Sequence, residues 1–330
     1  MEEELEILAP ERGQNANVAL SGRIDRRVEL LGKAIAHNTR RNYENQLRQL
    51  DRFAESVGLD PLDPVCVADW IVDRVDRCGA KPTTISSMLS AVRWRAEERG
   101  VPSPTLSAGV RRVVAGLRRE TAGTFSIDEA RAITLPELEE LLGTCAAGRP
   151  IDIRDQALLL LLFGSAIRRG AASELLVSDA RLTADGYLLR LRRGKTDQYG
   201  HGTDIAVARG TRQLTDPRGA LEAWLALIPG ATPQSPLFRQ MTKGGRILED
   251  RLGGQSIDRM LKRRAVRAGI SLSSLSPHGL RAGHASTAFA NGVPLDRIQR
   301  QLDHASSGTT ARYVRGQQAL DQTSAKGLGL

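Results

Sequence analysis

His278-Gly279-Leu280-Arg281 sets an imidazole and a guanidinium three residues apart. At the start of a helix that spacing puts both side chains on one face, where both can reach one phosphate. The pair alone is weak. Five His and 41 Arg in 330 residues produce roughly 0.6 such pairs by chance, the risk any short motif carries, and His37-Asn38-Thr39-Arg40 is a second match that reads as accidental. Its surroundings make it specific. Arg168-Arg169 ends the run Phe163-Gly164-Ser165-Ala166-Ile167, Lys195 sits in Arg193-Gly194-Lys195-Thr196-Asp197-Gln198, and His304 lies in Leu302-Asp303-His304-Ala305-Ser306, with Tyr313 nine residues further on. Arg presents a forked donor that stays protonated, His moves protons near neutral pH, and a phenol of pKa about 10 is a poor nucleophile until it is deprotonated or polarised.

Charge points the same way. Lys+Arg number 47 against 38 acids, a net charge of +9, which suggests a polyanionic partner. Asp250 to Arg315 holds 11 Arg/Lys and 4 Asp/Glu and alone carries +7. Only six of the cations are lysines, and the planar Arg fork suits bidentate phosphate contact better than the Lys point charge. An arginine-rich proteome would spell its surfaces the same way, so composition does not decide the matter.

The order Arg168, Lys195, His278-x-x-Arg281, His304, Tyr313, ending near the C-terminus, resembles the tyrosine recombinase (phage integrase) family. The resemblance covers most of the chain. It implies that Arg168 and Arg281 stabilise charge on nonbridging oxygens of a pentacoordinate phosphorane. It further implies Tyr313 as nucleophile, His278 as its proton acceptor, His304 as a donor to a phosphate oxygen and Lys195 as the acid for the departing 5′ oxygen. No cofactor and no metal is implied. The partner is double-stranded DNA carrying recombination sites, gripped by a two-domain clamp, with four protomers assembled on two sites. One departure stands out: the family's first motif usually runs Arg-Arg-Ser-Glu, and here it is Arg168-Arg169-Gly170-Ala171. Ala171 replaces a carboxylate that commonly helps hold the site.

These residues need a scaffold, and periodicity supplies one. Residues 1–27, acidic at first and without lasting periodicity, read as a mobile arm. Tyr43, Leu47, Leu50, Phe53, Ala54 and Val57 recur at helical spacing before Gly58. Further helices are expected over 65–78, after Lys81-Pro82-Thr83 with Ile85, Met88, Leu89, Val92 and Ala96 on one face, and over 107–118. Residues 28–118 read as a helical domain, 119–131 as a linker, 132–316 as an α+β domain and 317–330 as a tail. The resemblance makes 28–118 the family's core-binding domain and 132–316 its catalytic domain, with the tail expected to dock on a neighbouring protomer. Within the catalytic domain Thr134-Leu135-Pro136-Glu137 has the form of a capping box, and 155–168 reads as a buried apolar helix closed by Arg168-Arg169. Tyr187–Arg192 and Asp204–Ala208 read as strands of a small antiparallel sheet around a turn bearing Lys195. Helices are expected near 217–228, 255–268, 278–291, 294–302 and 307–316. On the helical domain, Thr39, Arg40, Arg41, Lys81, Thr83, Ser87 and Arg93 are candidate DNA contacts, since amphipathic helices with such faces sit in the major groove.

The chain therefore reads as mainly α with a small antiparallel β-sheet, and as a site-specific recombinase. Two alternatives remain open: a topoisomerase IB-like enzyme using the same chemistry on one duplex, and a catalytically inactive DNA-binding accessory protein, which Ala171 makes conceivable. The opening Met-Glu-Glu-Glu has the wrong sign for a targeting peptide, and no apolar run approaches the ~20 residues that span a bilayer. A cytoplasmic protein with three reduced thiols is expected.

Overall fold

The computed structural model describes residues 35, 37–121, 130–192, 202–228, 230–304, 306–311 and 313. The arm at 1–27, Lys195 with the turn around it, and the tail at 317–330 lie outside the described residues. The chain divides into two compact units, Met1–Ile127 and Asp128–Leu330. Among the described residues no helix is long and apolar enough to cross a membrane.

Among the described residues the first unit contains four α-helices: α1 (His37–Val57), α2 (Pro64–Cys78), α3 (Pro82–Arg99) and α4 (Ala108–Glu120). Proline at the first turn starts α2 and α3, where its missing N–H would be unpaired anyway. Asp63 caps α2 by accepting from the Val65 N–H at 2.6 Å, and Ser107 caps α4 at Val110. Gly79 and Gly100 end α2 and α3 at φ of 60° and 65°, a conformation that favours glycine. Leu50, Trp70, Ile71, Met88 and Val92 meet in a closed core, each such side chain contributing about 1.5–3 kcal/mol by leaving water. A two-pronged Arg95–Asp51 pair then fastens α3 to α1. Helix α4 runs to Glu120, so the linker expected from residue 119 starts inside a helix.

The second unit is built around α6 (Pro150–Ser165), whose Leu158 to Leu162 are all buried. Before it stands α5 (Leu135–Gly143), with both halves of the Thr134–Glu137 capping box formed. After it come α7 (Arg169–Glu174) and a three-stranded antiparallel sheet in the order β1 (Ala180–Thr183), β2 (Gly186–Leu191), β3 (Thr203–Ala208). Then follow α8 (Pro217–Leu227), a β4–β5 hairpin (Arg239–Met241, Ile247–Arg251), α9 (Gly254–Arg267), α10 (Pro277–Ala290) and α11 (Leu295–Gln301). Residues 307–311 and 313 are helical. The molecule is thus mostly helical with small antiparallel sheets.

Three expectations need correcting. The apolar helix starts at Pro150 rather than 155 and ends at Ser165, because Ala166 turns left-handed at φ 55°. Arg168 therefore does not close that helix but stands at the N-cap position of α7. The sheet gains a strand, β1, and the β4–β5 hairpin was not foreseen. Finally, the apolar α6 also carries a buried ionic cluster that the sequence pattern does not reveal: Asp152 and Asp155 pair with the fully buried Arg264 of α9.

Candidate active site

Helix α10 carries His278 and Arg281 one turn apart. It can lie close to the chain entering the unit because Gly279 and Gly283 have no side chains. A Cβ on Gly279 would strike the Arg131 carbonyl, and one on Gly283 the Ile133 carbonyl. The close approach lets the Ile133 N–H donate to the Gly279 carbonyl at 2.9 Å. His284, one turn beyond Arg281, is held with Nδ1 2.8 Å from the Phe163 carbonyl at the end of α6.

Arg281 is buried and braced by backbone. Its Nη1 donates to the Ala166 carbonyl at 2.6 Å, its Nη2 donates to the Leu302 carbonyl, and its Nε finds no partner among the described residues. The left-handed turn at Ala166 thus has a consequence for the site: the residue that ends α6 presents an acceptor to the arginine, and two residues later the chain delivers Arg168. Burial and the charge of Arg168 push the Arg281 pKa down to about 10, with the Tyr313 phenol opposing, so the guanidinium stays charged at neutral pH.

Tyr313 completes the cluster. Its hydroxyl lies 2.7 Å from His278 Nε2, and its ring stacks on His304 with centroids 5.9 Å apart and planes 16° from parallel. Its apolar edge packs against the patch formed by Ala166, Ala285, Ile298 and Leu302. His304 Nδ1 is 2.9 Å from the hydroxyl of buried Thr310. Desolvation, Arg281 and Arg168 hold the His278 pKa below the usual imidazole range. The same causes, with His278 added, push His304 down to about 4. Both rings are therefore neutral at pH 7, each able to accept or donate one hydrogen bond per nitrogen.

Of the six candidate catalytic residues, Arg168, His278, Arg281, His304 and Tyr313 come together here; Lys195 lies outside the described residues. The strand leading toward it ends at Leu191, and the next residue, Arg192, donates from Nε to Asp179 at 2.8 Å. Ala171 packs against the apolar core, so position 171 offers the site no carboxylate. Arg169 turns instead toward Asp258, 3.7 Å away. Three supporting residues carried no sequence signal: Thr310, Ser286, whose hydroxyl donates to the Tyr313 carbonyl at 3.1 Å, and Gln301, whose amide donates to the Ala206 carbonyl of β3 at 3.0 Å.

In the first unit, Thr39 and Ser87 line one shallow groove between α1 and α3, together with Asn38, Asn42, Tyr43, Ser86 and Ser90. Asn42 Nδ2 donates to Ser87 Oγ at 2.8 Å. Arg41, Thr83 and Arg93 are exposed, whereas Arg40 and Lys81 are half-buried and engaged within the protein.

Known proteins resemble this chain in sequence and fold. An integrase/recombinase xerD homolog of Selenomonas ruminantium is 27% identical over 303 residues, spanning 90% of this chain and 86% of that one. A lambda integrase dimer bound to a COC′ core site has the same fold, with a TM-score of 0.58 at 16% identity over 93% of this chain and 83% of that one. XerH bound to palindromic difH substrate gives a TM-score of 0.57 at 18% identity, over 86% and 78% of the two chains. The class defined by this fold and site is the tyrosine-type site-specific recombinase. Residues 131–319 match the phage integrase family and residues 29–94 its N-terminal SAM-like domain; the chain belongs to the phage integrase family.

Proposed function

We propose that the second unit breaks and rejoins DNA strands through a 3′-phosphotyrosyl intermediate. The observation that carries this reading is the Tyr313 hydroxyl at 2.7 Å from His278 Nε2, beside two cationic guanidiniums. A neutral His278 accepts the phenol proton as Tyr313 attacks phosphorus. The P–O5′ bond breaks and the 5′ oxygen leaves with a proton from Lys195. Arg168 and Arg281 bind the nonbridging oxygens as their charge grows, donors already in place before the reaction and therefore costing no reorganisation. In this scheme the Thr310 hydroxyl, 2.9 Å from His304 Nδ1, donates to that nitrogen, which leaves Nε2–H to donate to phosphate. The freed 5′ hydroxyl then attacks the adduct on the partner strand, so the energy of the phosphodiester is conserved. The reaction in this scheme uses neither a nucleotide nor a metal ion.

Double-stranded DNA is the substrate, and strand exchange between two sites calls for a homo-tetramer. The first unit contacts the duplex through Thr39, Arg40, Arg41, Lys81, Thr83, Ser87 and Arg93. That Thr39 and Ser87 line one surface groove supports this assignment for those two.

Trapping on a nicked suicide duplex tests the reading. The wild type is expected to form a covalent adduct, in EDTA as well as without it, and Tyr313→Phe to bind the same duplex and form none. No wild-type adduct on the true site would leave the accessory-protein alternative. Adduct formation with supercoil relaxation by lone protomers, but no joining of two labelled duplexes, would favour the topoisomerase.

A further inference from the structure

Tyr313 is held at both ends by one helix. Its hydroxyl meets His278 and its backbone carbonyl meets Ser286, both on α10. Those two residues are eight positions apart, a little over two turns and about 12 Å of rise. The tyrosine is laid along α10 with its reactive end beside the His278–Arg281 turn. The carbonyl bond fixes the backbone from which the side chain reaches, and His304 stacked on the ring limits rotation.

We infer that Ser286 is a positioning residue for the nucleophile, an inference that rests on Tyr313 being the attacking group. The Ser286 hydroxyl touches neither the phenol oxygen nor the imidazole that accepts its proton; it acts through the Tyr313 main chain. A hydroxyl donor on a main-chain carbonyl ties that point of the backbone to the donor's helix, here the Tyr313 carbonyl to α10. Without it Tyr313 keeps the His278 contact at one end only. The hydroxyl then explores positions off the line of attack, and small displacements of a reacting atom lower rates steeply. Ser286 and Tyr313 belong to the same chain, so the device operates within one protomer.

The test is single-turnover adduct formation on a nicked suicide duplex at saturating DNA. Ser286→Ala is expected to slow adduct formation roughly 3- to 10-fold, the worth of one neutral hydrogen bond, with duplex affinity unchanged. Ser286→Thr, which keeps the hydroxyl, should react near the wild-type rate. Hydrogen exchange should quicken in residues 307–313 of the alanine variant and stay as in wild type over α6. A wild-type adduct with an equally fast Ser286→Ala, or a slow Ser286→Thr whose α6 exchange matches wild type, would overturn the inference while leaving Tyr313 as nucleophile. Absence of any wild-type adduct would instead remove the underlying reading. A mixture of Ser286→Ala protomers with Tyr313→Phe protomers decides whose serine acts. The slow rate should persist, and recovery of the wild-type rate would show that Ser286 holds a neighbour's tyrosine.

Discussion

The carbonyl oxygen of Ile133 fills the space that a Cβ on Gly283 would occupy. This contact joins the chain entering the second unit to the helix that carries His278 and Arg281, and it is possible only because the facing residue is glycine. Alanine at 283 has to push a backbone carbonyl aside, straining the neighbouring bond from the Ile133 N–H to the Gly279 carbonyl. Against that stands a helix-propensity gain of about 1 kcal/mol. Gly283→Ala is expected to lose about 1–3 kcal/mol net through overpacking and to shift α10. Gly116→Ala, in α4 with open space around it, should instead gain up to ~1 kcal/mol. Urea unfolding of the two variants beside wild type measures the contrast.

Arg264 is fully buried and binds both Asp152 and Asp155, with Thr144 and Ile151 carbonyls taking its remaining donors. Arg264→Leu leaves two carboxylates in the core, of which Arg149, Arg154 and Arg263 neutralise only part. Breaking a buried pair from one side typically costs about 3–5 kcal/mol. Arg264→Lys keeps the charge, loses the fork and should cost less. Equal unfolding midpoints for wild type and Arg264→Leu would show that the network contributes nothing to stability.

Much of this scaffold is legible from local pattern. The Thr134–Glu137 box, the stripe Ile85–Met88–Val92–Ala96 and the strands at 187 and 204 are each decided within a few residues, so a periodicity or a cap reveals them. The order of Arg, His and Tyr motifs likewise placed five of the candidate residues that meet around Tyr313. What escaped depends on distant partners. Asp155 and Arg264 are 109 positions apart, and nothing near Asp155 shows that its helix is stapled there. Ala166 ends α6 in a left-handed turn that alanine seldom adopts, a conformation held by the burial around it, so the helix was read three residues too far. The strands Arg239–Met241 and Ile247–Arg251 are polar and half-exposed and show no alternation to read. Ser286 and Thr310 are ordinary hydroxyls until the fold brings their acceptors.

Folding stability should also report the state of His304. Its pKa falls from 6.5 when free to about 4 in the folded chain, so between these values the unfolded chain binds the extra proton. Stability from this group is fully present above pH 6.5 and is lost as pH falls toward 4; His278 contributes with the same sign. An NMR titration should show one imidazole with a midpoint near 4 that disappears in His304→Gln. A His304 midpoint above 6.5 would reverse the sign and show that the folded site favours the charged ring.

Lys195 is the proposed acid, and its role separates from charge stabilisation by a change of leaving group. A departing 5′ alkoxide is a strong base and needs a proton as the P–O bond breaks, whereas a thiolate leaves without one. Lys195→Ala should therefore cleave a normal duplex slowly, with a loss on the order of the 10²–10⁴-fold usual for a general acid. It should recover most of its rate on a duplex with 5′-bridging sulfur at the scissile phosphate. Arg281→Ala should recover much less, because the charge on the nonbridging oxygens that Arg281 offsets is present with either leaving group. Equal failure of Lys195→Ala on both substrates would make Lys195 an electrostatic or structural residue and send the search for the proton donor elsewhere. The comparison is made between leaving groups in one assembled complex, so any difference in DNA binding or in folding of the variant cancels.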